Sequence, residues 1–95
     1  MRLRSYKDDL IQRLKDPEYA AAYLARVLAD GDRAAFLIAL KDVVEAGGGM
    51  SALARRVSIT RPSLYKVLSR KGNPTLTTLQ DILKPLGMRV SVTTA

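Results

Sequence analysis

The side chains that could bind a ligand are concentrated in residues 51–71 of this 95-residue sequence. The stretch is rich in guanidinium and ammonium groups, which bind anions, and in hydroxyl groups, which donate hydrogen bonds to them. It contains no histidine, cysteine or carboxylate, so its chemistry is anion binding rather than acid–base catalysis. The candidate residues are Ser51, Arg55, Thr60, Arg61, Pro62, Ser63, Tyr65, Lys66, Arg70 and Lys71.

The composition of the whole chain argues against catalysis and against a metal centre. Histidine and cysteine are both absent, which removes the commonest general base, the commonest zinc ligand and any disulfide. The nine acidic residues lie mostly at apparent helix caps or on helix surfaces, so they form no acid–base pair or metal set. We expect a protein that is not an enzyme and needs no cofactor; a small enzyme is the least favoured alternative.

The net charge of +7 is confined to one half of the sequence. Residues 1–46 hold eight basic and eight acidic side chains, whereas residues 47–95 hold eight basic side chains and one acid, Asp81. Such an asymmetric basic surface favours a polyanionic partner. The alternative is a basic face that is simply solvated, as on many small proteins.

The candidate residues lie on two short helical patterns that meet at a break within residues 50–69. Ala54 is small enough to let the second helix cross close to the first, Ile59 fills the corner, and Leu64 fixes the second helix to the first. The second helix begins at Thr60, a good N-cap. This spacing predicts a helix-turn-helix, in which the N-terminal end of the second helix enters the major groove of DNA.

Within that motif the residue types suggest different contacts. Arg61 is the first choice for base recognition, because its guanidinium matches guanine O6 and N7 bidentately. Lys66 can reach a base or a phosphate. The Tyr65 hydroxyl can bond to a phosphate while the Tyr65 ring contacts a thymine methyl. Ser63 lies in the first helical turn and Pro62 adds shape without a donor. The residues suited to the phosphate backbone are Ser51, Arg55, Thr60, Arg70 and Lys71.

Three of these assignments have plain structural alternatives. The ring of Tyr65 could simply pack on the helix surface, and Arg55 and its neighbour Arg56 could be ordinary solvated charge. Arg61 could be solvated charge too, although an exposed arginine in the first helical turn opposes the helix dipole and so favours a functional reason. Three glycines at 47–49 precede the motif and invite comparison with a phosphate-binding loop. The lysine and hydroxyl residue of such a loop are missing, so helix capping by Gly47 and Gly49 is the favoured interpretation.

The remaining sequence predicts an all-α fold. Apolar spacing and caps predict an amphipathic N-terminal extension over residues 1–15, followed by a helical domain over residues 16–95 that contains the helix-turn-helix. The extension has a narrow apolar stripe, which either docks on its own domain or binds a partner. Helix N-caps are predicted at Ser5, Asp16, Asp32, Thr60 and Thr75.

The tail of the sequence has a different pattern. Residues 88–93 alternate apolar and polar side chains, which is typical of a β-strand. Because no other segment offers a strand, this one would have to pair with a symmetry-related copy or with a partner protein. No apolar run reaches the ~20 residues of a membrane span, and the N-terminus lacks a signal-type core, so we expect a cytoplasmic protein associated with DNA.

The motif resembles the lambda-repressor-type (Cro/C1-type) helix-turn-helix, and residues 17–93 resemble the addiction module antidote proteins. The most specific part is the run Arg-x-Ser-Leu-Tyr-x-x-Leu-Ser followed by Gly-Asn-Pro. Two positions depart from the family pattern: Ser58 replaces the usual turn glycine, and Pro62 stands where an acid is common. The segments that carry the resemblance are residues 28–32, 50–55, 61–69, 72–74 and 86–90.

This resemblance implies a lambda-repressor-like five-helix domain in a dimeric, DNA-binding antitoxin. Such a protein would neutralise a RelE/ParE-type toxin encoded beside it and repress their shared operon. A freestanding repressor, for example of phage origin, is the main alternative. A structural interaction module that never binds DNA would account for the tail strand but not for the charge asymmetry.

Overall fold

The computed structural model describes residues 5–95, and in that part of the chain all regular structure is helical. The all-α prediction is therefore confirmed. The helices are α1 (Tyr6–Leu14), α2 (Pro17–Ala29), α3 (Arg33–Ala46), α4 (Met50–Arg56), α5 (Arg61–Val67) and α6 (Leu76–Leu83), followed by a 3₁₀ turn (Lys84–Leu86). The predicted extension begins with residues 1–4, which lie outside the described residues.

Five of these helices begin at the predicted caps. In each case a side-chain oxygen accepts a hydrogen bond from a backbone N–H of the first turn, over 3.0 to 3.3 Å, and so satisfies a donor that has no partner within the helix. The cap and donor residues are Ser5 with Asp8, Asp16 with Glu18, Asp32 with Ala35, Thr60 with Ser63, and Thr75 with Thr78. Helix α4 instead has Gly49 as its N-cap, without a side-chain hydrogen bond, and the φ of 95° there suits glycine.

Helix α3 is the centre of the core, as its broad apolar pattern predicts. It buries residues on both sides, including Leu37, Leu40 and Val44, against α1 and α2 on one side and α4 on the other. The same core continues through Leu64 of α5 and Ile82 of α6, both fully buried. One continuous apolar cluster therefore holds the N-terminal helices and the predicted motif in a fixed relationship.

The N-terminal extension packs on its own domain. Leu10 and Leu14 of α1 are buried in the common core. The ammonium of Lys7 lies 3.8 Å from a carboxylate oxygen of Asp42 and 3.6 Å from one of Glu45, both on α3. Between the two alternatives drawn from the sequence, the structure shows the first, in which α1 covers part of α3.

Helical periodicity places Leu28, Ile38 and Leu76 on the apolar faces of α2, α3 and α6, which predicts their burial, but all three are exposed. Leu28 at the end of α2 is 59% exposed and Leu76 at the start of α6 is 61% exposed, while Ile38 on α3 also faces solvent. Those three core assignments were wrong. Periodicity identifies an apolar face but not the width of the stripe that a neighbouring helix covers.

The strand predicted for residues 88–93, which was expected to pair with another chain, is not seen in the single chain. Pro85 and Gly87 end the last helix: the turn tightens to 3₁₀ geometry, and Gly87 adopts a left-handed φ of 78°. Beyond it, the structure has no strand in residues 5–95 with which the tail could pair. A single extended segment has no ladder hydrogen bonds. Residues 88–91 border a groove between α2 and α6.

Candidate nucleic-acid interface

Helices α4 and α5 pack against each other and present the predicted site at the surface. Leu64 and Leu68 are buried on the inner side of α5, and Leu53 is buried on the inner side of α4. Ala54 and Ile59 are half-buried and pack against the core. This agrees with the prediction that Ala54 lies where the helices cross and that Ile59 fills the corner between them. Burial of these apolar residues fixes which side of α5 faces outward.

All the predicted site residues except Ser51 are exposed, and Ser51 is half-buried. They extend from the first turn of α4, across the corner and along α5, to the turn that follows. Direct contacts connect four of them: Thr60 with Ser63, and Arg61 with Tyr65. The structure leaves Arg55, Lys66, Arg70 and Lys71 as exposed cations on the same stretch of chain.

The start of α5 is stabilised by a pair of hydroxyl groups. The backbone N–H of Ser63 donates to Thr60 Oγ1 over 3.3 Å, and that hydroxyl donates to Ser63 Oγ over 2.9 Å. The Ser63 hydroxyl therefore retains its own hydrogen for donation outward. Pro62 lies in the first turn, where its missing N–H costs nothing. Together these residues make a rigid helix end with a hydroxyl donor at its tip.

Tyr65 lies beside two cations on the outer surface. The guanidinium carbon of Arg61 lies 5.6 Å from the centroid of the Tyr65 ring, and the Lys41 ammonium lies 5.3 Å from the same point. Both distances are within the range of a cation–π interaction. Tyr65 is 39% exposed, so part of its side chain is accessible to a ligand.

Lys41 is a residue that sequence reasoning missed. It belongs to α3 and to the half of the chain with no net charge, so neither the motif nor the charge asymmetry identifies it. Only the packing of α3 beside α5 brings it to Tyr65. No signal in the local sequence could have located it.

Arg55 and Arg56 are adjacent in sequence but differ in surroundings. The guanidinium of Arg56 donates to the carbonyl oxygen of Pro85 over 3.4 Å, and its side chain lines a groove with Asp81 and Lys84. Asp81 is the one acidic residue in the second half of the chain. Arg56 thus contributes to contacts with the 3₁₀ turn after α6, while Arg55 stays exposed at the surface.

The fold and this surface define a class: a small helical protein whose paired short helices carry an exposed cluster of cations. A protein-family model described as "Probable addiction module antidote protein" matches residues 4–94. The chain belongs to this family of addiction module antidote proteins, and an antidote protein implies a cognate toxin as partner.

Comparison with individual proteins adds one relative. The chain is 36% identical over 84 residues to an "Uncharacterized protein" of Haemophilus influenzae, a match that covers 88% of this chain and 86% of that one. No solved structure matches the chain. Within residues 5–95, the helices are too short or too polar for any of them to cross a membrane.

Proposed function

We propose that the protein is the DNA-binding antitoxin of a type II toxin–antitoxin module. It neutralises a RelE/ParE-type toxin and represses the operon that encodes both proteins, acting on DNA in the cytoplasm without enzymatic activity or a cofactor. Membership of the antidote family supports the antitoxin role. The observation that carries the DNA-binding role is the exposed, basic outer surface of α5.

The geometry suits a helix-turn-helix of the lambda-repressor type formed within α2 to α6. The N-terminal end of α5 enters the major groove, where the Arg61 guanidinium recognises a guanine. Lys66 and the Tyr65 hydroxyl contact the base edges or the groove wall. The backbone phosphates are contacted by Ser51, Arg55, Thr60, Ser63, Arg70 and Lys71, and Pro62 shapes the helix end.

A second copy of this chain is the partner that best fits the tail. Val90 and Val92 are exposed on alternate positions of the tail, and Val92 is 95% exposed. The groove beside them is lined by Leu24, Leu28 and Leu83. Across a two-fold axis, the tail of each copy pairs as a strand with the tail of the other. Both copies then use the same surface for the contact. The two copies of α5 would then lie one DNA turn apart, ~34 Å.

The experiment that tests the proposal is co-purification from the native operon, followed by footprinting on the DNA upstream of it. The proposal predicts that a small toxin co-purifies and that a palindromic site is protected. A protected site with no associated toxin indicates the freestanding repressor instead. Co-purification of a toxin with no protected DNA, at any salt concentration, would contradict the DNA-binding role.

A further inference from the structure

We propose that Lys41 on α3 binds a DNA phosphate beside α5, an inference that rests on the proposed DNA-binding function. The residue lies outside the helix-turn-helix and outside the basic half of the sequence. Three observations support the proposal: Lys41 lies over the ring of Tyr65, Arg61 lies near the same ring, and Lys41 forms no ion pair within residues 5–95. The dimensions of a helix in the major groove supply the rest of the argument.

Lys41 and Arg61 bring two positive charges to one aromatic ring. Their cationic groups lie 5.3 and 5.6 Å from the centroid of Tyr65. Within residues 5–95, neither side chain forms an ion pair. One ring therefore gathers two cations that form no ion pair within those residues. A phosphate bound beside Tyr65 would be attracted by both charges.

Two carboxylates close to Lys41 in sequence on α3 lie within ion-pair distance of Lys7. Glu45 lies four residues after Lys41 on α3, the spacing at which lysine and glutamate ordinarily pair along a helix. Glu45 instead lies 3.6 Å from the ammonium of Lys7 on α1, and Asp42 lies 3.8 Å from it. Lys7 of α1 thus pairs with Asp42 and Glu45, while the Lys41 ammonium lies over Tyr65 and acts on Asp42 only from beyond ion-pair distance.

The position of Lys41 suits a phosphate rather than a base. A helix with its side chains is about 10–12 Å across and the major groove is about 12 Å wide, so a helix in the groove is flanked closely by phosphates. Lys41 is on a neighbouring helix at the flank of α5, next to Tyr65. It is half-buried, so its aliphatic stem is already packed and little side-chain freedom is lost on binding.

The test uses variants of the full-length protein on a duplex of mixed sequence, about two helical turns or ~21 base pairs long, because a phosphate contact does not depend on sequence. Lys41→Met keeps the packed stem and removes the charge, while Lys41→Arg keeps a charge. Lys15→Met, at the exposed end of α1, removes the same charge elsewhere. Thermal unfolding of each variant shows that it is folded.

The proposal predicts that Lys41→Met makes the negative slope of log affinity against log salt shallower by about 0.9, the value of one phosphate contact. Affinity falls on the order of tenfold near physiological salt. Lys41→Arg and Lys15→Met keep the wild-type slope. If Lys41→Met matches Lys15→Met while the wild type binds in a salt-dependent way, the inference about Lys41 is wrong and DNA binding stands. If the wild type does not bind the duplex, both proposals fail.

Discussion

The guanidinium of Arg61 stacks over the ring of Tyr65, four residues later on α5, at 5.6 Å from the ring centroid. Residues at this spacing are neighbours on a helix surface. The contact restricts the otherwise flexible arginine before any ligand is present, so that less conformational entropy is lost when its planar group meets a base. Tyr65 is thus a positioning residue as well as a contact residue in the proposed interface.

Two substitutions at Tyr65 separate these roles. Tyr65→Phe keeps the ring and removes the hydroxyl, and it is expected to weaken binding to every duplex by about 0.5–1.5 kcal/mol, the net value of one hydrogen bond. Tyr65→Leu also removes the surface on which Arg61 stacks, so it should additionally relax preference at one base position. Binding titrations on the operator and its single-base variants measure both effects. Equal base preferences for the two variants would show that the ring does not position Arg61.

Gly72, in the turn after α5, is predicted to tolerate no side chain. It is buried, and a Cβ atom there would overlap the carbonyl group of Val67. Gly72→Ala should lower the free energy of unfolding by about 1–3 kcal/mol through overpacking. The matched control is Gly31→Asn, because Gly31 has open space around it and a φ of 79° that asparagine accepts. Urea unfolding checks the prediction, and a Gly72→Ala protein as stable as the control would contradict it.

Asp42 gives a pH-dependent prediction. Burial raises the pKa of Asp42 above its ordinary value of 3.8, and the nearby Lys7 ammonium offsets this only in part. The folded state therefore holds the proton more tightly than the unfolded state does, and Asp42 costs stability as pH rises through the folded pKa. Asp42→Asn should match the wild type at about pH 3, where the acid is largely protonated, and exceed it near neutral pH.

Urea unfolding at the two pH values measures that difference. A wild type more stable than Asp42→Asn near neutral pH would mean that the contact with Lys7 outweighs the cost of burial. Lys7 also lies 3.6 Å from Glu45, so the measured balance between the burial of Asp42 and its attraction to Lys7 also describes how α1 is held on α3.

The tail is expected to control self-association. Val92→Asp changes a side chain that is 95% exposed in the single chain, so the folded monomer should be unaffected. In a paired strand, alternate residues share a face, and the variant should weaken the dimer on the order of tenfold, as judged by sedimentation equilibrium. Thr93→Asp, on the opposite face, is the control. Self-association unchanged both in Val92→Asp and after deletion of residues 88–95 would rule out the tail as the dimer contact.

Features set by near neighbours in sequence were predictable, and those set by tertiary packing were not. The caps at Asp32 and Thr60 depend on side chains that bond to the next turn, so their residue types and positions sufficed. Burial of Leu64 followed from helical spacing. The proximity of Lys41 to Tyr65 depends on how α3 and α5 pack, and no local pattern records it.

The exposed leucines and the unpaired tail have related causes. Leu28 and Leu76 have apolar side chains on apolar faces, but what covers a face depends on the rest of the molecule or on a partner. The alternation over residues 88–93 is a property of one strand, whereas a sheet needs two. In both cases the sequence indicates a surface able to be buried, and the isolated chain leaves it open.

The affinities of Arg61→Ala and Arg70→Ala, each on the operator and on a duplex of mixed sequence, test the central claim most directly. If α5 enters the major groove, Arg61→Ala costs about 1–3 kcal/mol on the operator and little on the mixed duplex, whereas Arg70→Ala weakens both alike. Losses of equal size on the two duplexes for both variants would contradict the placement of Arg61 at a base and of α5 in the groove.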